Sequence, residues 1–469
     1  MSTEFWRWSA TDLAQAIRAK EVSAREVVQA HLGRIAAVND KVNAVTVVLD
    51  ETALAAADAA DRAVAAGEPL GPLHGVPITV KENIELVGSA YTEGVVALKD
   101  AVPPVDAPHM AQVKAAGAIP IGRTNLPDFG LRWHTDNDLR GATRNPWNPA
   151  RTPGGSSGGE AAALATGMTP LGLGNDYGGS LRWPSQCCGT AAIRPTLGRV
   201  PFHSALAPAE FPLTIQLFAV QGPMARHVRD LRLGLAAMSG HDARDPWWTP
   251  APLPPQAPNR PRRVAVTSDP CGTGVDPAIA AGIQQAARAL AQAGYEVVQA
   301  DPPAVADASN LWLYLVGAEL RTLMIPAIQP LLGADARKFL DLVLAPIPPA
   351  DLPGYMGALA VRNTHARNWS QFFEQYDLVL GPVSTMQPFE VGFDLASSDT
   401  TMQMAASLGL VVTCNLLGLP AAVVPVGVAD GLPQAVQIIG SRYQEAICLD
   451  AAEAIEAALG IVTPIDPVA

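Results

Sequence analysis

Cysteine, basic charge and any recognisable metal or nucleotide motif are all scarce in this 469-residue chain. The five cysteines, Cys187, Cys188, Cys271, Cys414 and Cys448, are an odd number without CxxC spacing. A chain of this size needs no disulfide staples, so they read as reduced, mostly buried thiols. Lys and Arg number 32 against 44 Asp and Glu, a formal charge of −12, and no block of like charge occurs. Nucleic acid and anionic membranes both demand a basic surface, so neither is an expected partner. No HExxH, paired Cys/His run or EF-hand loop is present, which leaves a metal site without ligands. Gly172-Leu-Gly174 lacks the third glycine of a dinucleotide fingerprint, and no cofactor is expected. Met1 to Ser9 has no basic stretch followed by a hydrophobic one, so the expected location is cytoplasmic. One uncharged run, Ser407 to Ala429, has the length of a membrane span. It holds Thr413, Asn415, Pro420 and Pro425, which suits buried strands and turns of an α/β core instead.

What is abundant points to a globular chain rich in tight turns: apolar residues make up 49%, with Gly 40 and Pro 42 and no fixed period. Two helices are expected in the first fifty residues, the second opened by the capping box Ser23-Ala-Arg-Glu26, and a third over Glu51 to Ala66. Strand-like runs then alternate with helices: Val76 to Val80, a helix over 107–116, Ala118 to Ile121, Arg263 to Thr267, a helix capped by Asp276 and stopped by Gly294, and Tyr295 to Gln299. Strands resume at Leu378 to Leu380, Ala421 to Pro425 and Gln434 to Ile439, before a final helix through Ile447, Ala451 and Ile455. That rhythm predicts an α/β fold, a sheet with helices on both faces. Because it survives the Pro-rich stretch 245–261, that stretch is expected to be a surface excursion inside a single domain spanning 1–469. Residues 311–376 read as a helical region richer in aromatics, either walling a substrate cleft or simply covering the sheet.

Three polar residues stand in segments suited to amide chemistry. Cleaving an amide needs an activated oxygen, a cradle for the oxyanion and a proton for the departing amine. Histidine usually activates serine, yet the eight histidines are scattered and only His74 sits in a motif-like segment. Lys81, ending the apolar run Val76-Pro-Ile-Thr-Val80, serves as base if burial lowers its pKa by about 2–3 units. Its other reading is an exposed lysine beside Glu82. Ser180 follows Gly178-Gly179, whose bare backbone lets the amides of Tyr177, Gly178, Gly179 and Ser180 converge on one spot as an oxyanion hole. Asp176 and Arg182 flank that turn, as a buried pair bracing it or as unrelated surface charges. Ser156 lies 24 positions earlier in Gly155-Ser-Ser-Gly-Gly159. This loop reads as a phosphate cradle lacking the Gly-Lys-Ser/Thr ending, as a nucleophile elbow lacking the preceding strand, or as the site of a relay serine beside Ser180.

Gly75-Val-Pro-Ile-Thr-Val-Lys81, Gly154-Gly-Ser-Ser-Gly-Gly159 and Gly178-Gly-Ser-Leu-Arg182, at these spacings, resemble the amidase signature family. Weaker echoes run along the chain, among them Gly141 to Asn148, Ile193 to Arg199, Gln221 to Arg226, Asn415 to Pro420 and Gly431 to Gln437. The resemblance implies one α/β/α domain with a large twisted mixed sheet and a Ser-cisSer-Lys triad, in which Ser180 attacks, Ser156 relays the proton and Lys81 receives it. It also implies that Ser157 supports the loop by hydrogen bonding. The chain departs from the family pattern at Glu82, Asn175, Arg194 and Glu160, none of which removes a catalytic atom. Asn175-Asp176 and Gly141 to Asn148 look most like the nylon-oligomer (aminohexanoate cyclic-dimer) hydrolase branch, with urethane-cleaving relatives nearby. The expected function is therefore cofactor-independent hydrolysis of a small or medium acyl amide, extending to aryl amides, esters or carbamates, by a monomer or homodimer. The alternatives are a glutaminase subunit of a tRNA-dependent amidotransferase and, more remotely, a phosphate- or nucleotide-binding protein. Leu131 and Trp133, shortly before the first serine motif, are candidate cleft residues that ordinary packing would explain equally well.

Overall fold

The computed structural model describes residues 4–251 and 260–468. Among them, eleven strands form one mixed sheet: β1 (Val45–Val48), β2 (Pro77–Lys81), β3 (Ile119–Thr124), β4 (Leu171–Asp176), β5 (Ala191–Arg194), β6 (Val220–Ala225), β7 (Arg263–Val266), β8 (Glu296–Gln299), β9 (Leu378–Pro382), β10 (Ala421–Ala429) and β11 (Leu432–Gly440). Their order is β1-β3-β2-β4-β6-β5-β10-β11-β9-β7-β8. β2 runs parallel to β3 and β4, β7 runs parallel to β8 and β9, and antiparallel pairs join the two groups. Of the Pro-rich stretch 245–261, residues 252–259 lie outside the described residues, and the strands before and after it share the sheet.

Strand alternation sorts side chains into two cores, one on each face. Leu378 and Leu380 of β9 enter one core and Val379 the other; Ala422 and Val424 of β10 likewise oppose Ala421 and Val423. In β2 the same rule sends Ile78 and Val80 into an apolar core, so Thr79 and Lys81 face the opposite side. That side carries the Gly158–Ala165 helix, where the Thr79 hydroxyl donates to Glu160. A one-residue slip of register would bury the lysine among aliphatic side chains and expose the aliphatics to the loop.

The two glycines of β4 make it a weak strand candidate in the sequence. The packing explains them: a Cβ at Gly172 would come within 1.9 Å of Glu160 Oε1, and one at Gly174 within 2.9 Å of Ser157 Oγ. Close approach of the serine loop requires bare backbone there. β1, β5 and β6 are also absent from the expected strands, the first two being only four residues long.

Ser407 to Ala429 corrects the expectation of strands and turns throughout. Gly409–Leu417 is a buried helix packed on the Val305–Glu319 helix, and the strand begins only at Ala421. Thr413 Oγ1 returns a bond to Gly409 O at 2.8 Å, and Gly418 closes the helix at φ 69°. Pro425 is tolerated in β10 because β5 pairs only with Ala421–Val423 and the register to β11 breaks after Pro425. Within 311–376 the chain is helical, as the Val305–Glu319, Ala334–Leu344 and Leu352–Phe373 helices with a short π-turn at Leu320–Met324.

Candidate active site

Parallel pairing brings the ends of β2 and β4 side by side, and the chemistry-bearing residues gather there. Lys81, the last residue of β2, is fully buried. Its Nζ donates to Ser156 Oγ and to Asn175 Oδ1, both at 2.7 Å. Neither acceptor is charged. Burial therefore dominates and lowers the lysine pKa to about 7, against the opposing pull of Glu93, Asp176 and Glu160. At neutral pH a substantial share of this amine carries no proton.

Ser156 enters this contact through a cis Gly155–Ser156 peptide in a loop that precedes the Gly158–Ala165 helix. No strand leads into the loop, so the geometry is that of a residue bonded to Lys81 rather than a nucleophile elbow. The loop is tied to the second glycine turn by the backbone, Ser157 N donating to Ser180 O at 3.3 Å. The Ser157 hydroxyl, expected to brace the loop, finds no partner among the described residues; with Gly174 alongside, backbone contact replaces the side-chain bond. Glu160, three residues on, holds helix to sheet by accepting from the Thr79 and Thr124 hydroxyls, the latter at 2.8 Å. Burial raises its pKa to about 7.

The second glycine turn is built around Asp176. Arg182 makes a bidentate contact with it, Nε to Oδ2 and Nη2 to Oδ1 at 3.0 Å each, and both side chains are fully buried. Asp176 also accepts from Gly179 N at 2.9 Å, Leu181 N at 3.2 Å and Asn415 Nδ2 at 2.8 Å. Burial alone would raise this carboxyl, but the Arg182 guanidinium outweighs it and holds the pKa well below the usual carboxylate range. One expectation shifts as a result: the Gly179 N–H is committed to Asp176 and leaves the oxyanion set. Among the described residues, the N–H groups of Tyr177, Gly178 and Ser180 meet no protein acceptor.

Ser156 and Ser180 open into one cavity, where Ser180 retains 7% exposure. Leu131 and Trp133 both stand on its wall. Trp133 has a second task, its Nε1 donating to Gly178 O at 2.8 Å and so fixing the turn before Ser180. A Cβ at Gly178 would come within 2.9 Å of the Trp312 ring, and Tyr177 is anchored by its hydroxyl to Thr214 Oγ1 at 2.8 Å. Trp312, Phe339, Leu340, Val343 and Ile347 make one side of the cavity apolar, whereas Asn83, Glu85, Tyr91, Glu93 and His109 make another polar. Sequence reasoning missed Asn175 as a partner of Lys81, Asn415 and Arg194 as partners of Asp176, and the polar wall. The available signal was that Asn175, Arg194 and Asn415 fall inside motif segments.

Comparison with known proteins agrees with this geometry. The Amidase family model matches residues 26–449. An indoleacetamide hydrolase from Bradyrhizobium diazoefficiens is 44% identical over 458 residues, covering 97% of this chain and 87% of the relative. Among solved structures, a bacterial aryl acylamidase of the amidase signature enzymes superposes with a TM-score of 0.82 at 28% identity, covering 97% of each chain. A 6-aminohexanoate cyclic dimer hydrolase superposes with a TM-score of 0.83 at 30% identity, again over 97% of each. The chain belongs to the amidase signature family, and it is an enzyme that hydrolyses amide carbon–nitrogen bonds.

Proposed function

We propose that the chain hydrolyses the carboxamide of a small acid with a flat apolar acyl group, an arylacetamide such as indole-3-acetamide, through an acyl-enzyme on Ser180. The observation that carries this reading is the buried Lys81, its pKa lowered by desolvation to about 7, bonded to Ser156 at a cavity shared with Ser180. Ser180 Oγ attacks the carbonyl carbon while its proton passes to Ser156 and the Ser156 proton passes to Lys81 Nζ. The N–H groups of Tyr177, Gly178 and Ser180 receive the oxyanion, Gly178 being held by Trp133 and the turn by the Asp176–Arg182 pair. Reversal of the relay protonates the departing nitrogen, and water then releases the acid from Ser180. The acyl group lies against Leu131, Trp133, Trp312 and Phe339, a wall that suits a planar ring. The name of the 44% identical relative directs the choice of ring.

A screen of indole-3-acetamide, acyl anilides, esters and carbamates tests the substrate, with ammonia release and acid formation measured together. Highest kcat/KM on the arylacetamide supports the proposal; no turnover of any arylacetamide by active enzyme refutes it. A fluorophosphonate probe with peptide mapping tests the nucleophile, and labelling of Ser156 in place of Ser180 would reverse the assigned roles. The glutaminase-subunit alternative requires a partner, so turnover by the purified chain alone counts against it.

A further inference from the structure

Protonation of the departing nitrogen by Ser156 Oγ requires the two atoms to come within hydrogen-bond distance, about 2.7–3.2 Å. One side of Oγ is taken by Lys81 Nζ at 2.7 Å. Another faces the bare Cα of Gly130, which lines the same cavity as Ser156. A Cβ on Gly130 would stand 3.1 Å from Ser156 Oγ, 3.5 Å from Ser156 Cβ and 4.0 Å from Asn83 Nδ2. Apart from its two chain neighbours, no other atom of the described residues comes as close. That spot is unfilled, and it lies in the shell around Oγ that a bonded nitrogen and the first atom attached to it must share.

Backbone, not a movable side chain, fixes the opening. Phe129 N donates to Glu93 O at 2.7 Å, Gly130 N to Pro127 O at 2.8 Å and Leu131 N to Asp128 O at 3.0 Å. Phe129 and Gly130 both sit in the left-handed region, at φ 48° and 66°, so the chain turns sharply beside the relay serine. On the far side Asn83 is half-buried on the cavity wall. Its amide is oriented by a run of bonds, Lys81 Nζ to Asn175 Oδ1 at 2.7 Å and Asn175 Nδ2 to Asn83 Oδ1 at 2.9 Å. Ser156 Oγ cannot give way to a larger neighbour without straining its bond to Lys81. A primary amide, whose nitrogen carries only hydrogens, has no need of this room; a nitrogen bearing a carbon substituent does.

We propose that Gly130 sets the size of the leaving group, and that the space beside it receives the N-substituent of a secondary amide such as an anilide. The bond changes are those of the proposed mechanism: Ser180 Oγ bonds to the carbonyl carbon, the carbon–nitrogen bond breaks, and the nitrogen leaves with the proton delivered by Ser156. Only the released group differs, an amine in place of ammonia. The inference rests on that relay and adds leaving-group selectivity to it, separate from the choice of acyl group at the Trp312 and Phe339 wall.

The test compares Gly130→Ala with the wild type on indole-3-acetamide and its N-methyl and N-phenyl derivatives. The wild type is expected to cleave all three. The variant is expected to lose kcat/KM on the N-phenyl amide by roughly tenfold or more beyond its loss on the primary amide, with the N-methyl amide between them. Crowding of Ser156 by the added methyl also slows proton delivery and lowers all three rates. That defect weighs least on the anilide, because aniline departs with less help from a proton than ammonia does, so size and relay damage push the ratio in opposite directions. Equal losses, or a greater loss on the primary amide, would overturn the proposal, as would a wild type that cleaves the primary amide and neither derivative. Phe129 already carries a side chain at φ 48°, so the turn accommodates a Cβ at such an angle; if the variant still does not fold, the wild-type series decides alone. Should the wild type ignore indole-3-acetamide, the acyl assignment fails by itself, and the comparison is run on the primary amide and anilide of whichever acid it does release. Labelling of Ser156 in place of Ser180 by the fluorophosphonate probe would instead remove the relay, and this inference with it.

Discussion

Lys81 and Asp176 end neighbouring strands, both are fully buried, and they meet opposite electrostatic fates. Lys81 is bonded only to neutral oxygens, of Ser156 and Asn175, so desolvation prevails and its charge becomes optional near neutral pH. Asp176 receives a bidentate guanidinium, two backbone N–H groups and the Asn415 amide, so its charge is locked in. Burial alone does not decide ionisation; the charge and number of hydrogen-bonding partners do. One site is built to exchange a proton, the other to hold a turn still.

The largest expected effect comes from breaking the proton-exchanging side. Ser180→Ala and Lys81→Ala should each lower kcat/KM on the order of 10³-fold or more, with Ser156→Ala slightly less affected because water can partly replace a relay hydroxyl. Circular dichroism should show all three folded, and a Lys81→Ala variant of near wild-type rate would end the proposed mechanism. Breaking the rigid side should appear first as instability: Asp176→Asn strips Arg182 of its counter-charge and should cost about 3–5 kcal/mol in denaturant unfolding. Unchanged stability there would mean that the pair is not what braces the turn.

Making the two sites alike sharpens the contrast. Asn175→Asp places a carboxylate against Lys81, and an opposite charge at that range raises a lysine pKa by roughly 1–3 units. In the wild type the free amine grows as pH rises through about 7, so the rate should rise there and then level. In Asn175→Asp the same limb should move to higher pH, and an unmoved limb would show that Lys81 does not control it. The smallest effect belongs to Ser157→Ala. Its hydroxyl is buried without a partner, so removal should leave activity near wild type and stability equal or higher, by up to about 1 kcal/mol in thermal or denaturant unfolding.

Local features of this site were legible because they are written in consecutive residues. An apolar run ending in lysine, and glycines placed before a serine, announce a buried amine and a tight turn without reference to the rest of the chain. The helices with explicit caps, at Ser23 and Asp276, were legible for the same reason. β4 was hidden because its glycines answer to Glu160 and Ser157, which approach from another segment. The Gly409–Leu417 helix was hidden because an uncharged, wholly buried run has no polar face to reveal its period.

The sequence by itself determined the alternating α/β architecture, the residues of the serine and lysine motifs and the kind of bond they suit, since these depend on periodicity and on side-chain chemistry close along the chain. Only the tertiary structure decided which amides are spare. Gly179 N–H goes to Asp176 rather than to a substrate, and Asn175 meets Lys81. Each of those outcomes depends on distances between segments far apart in the chain, and a hydrogen bond is won or lost over a few tenths of an ångström that no residue order encodes locally.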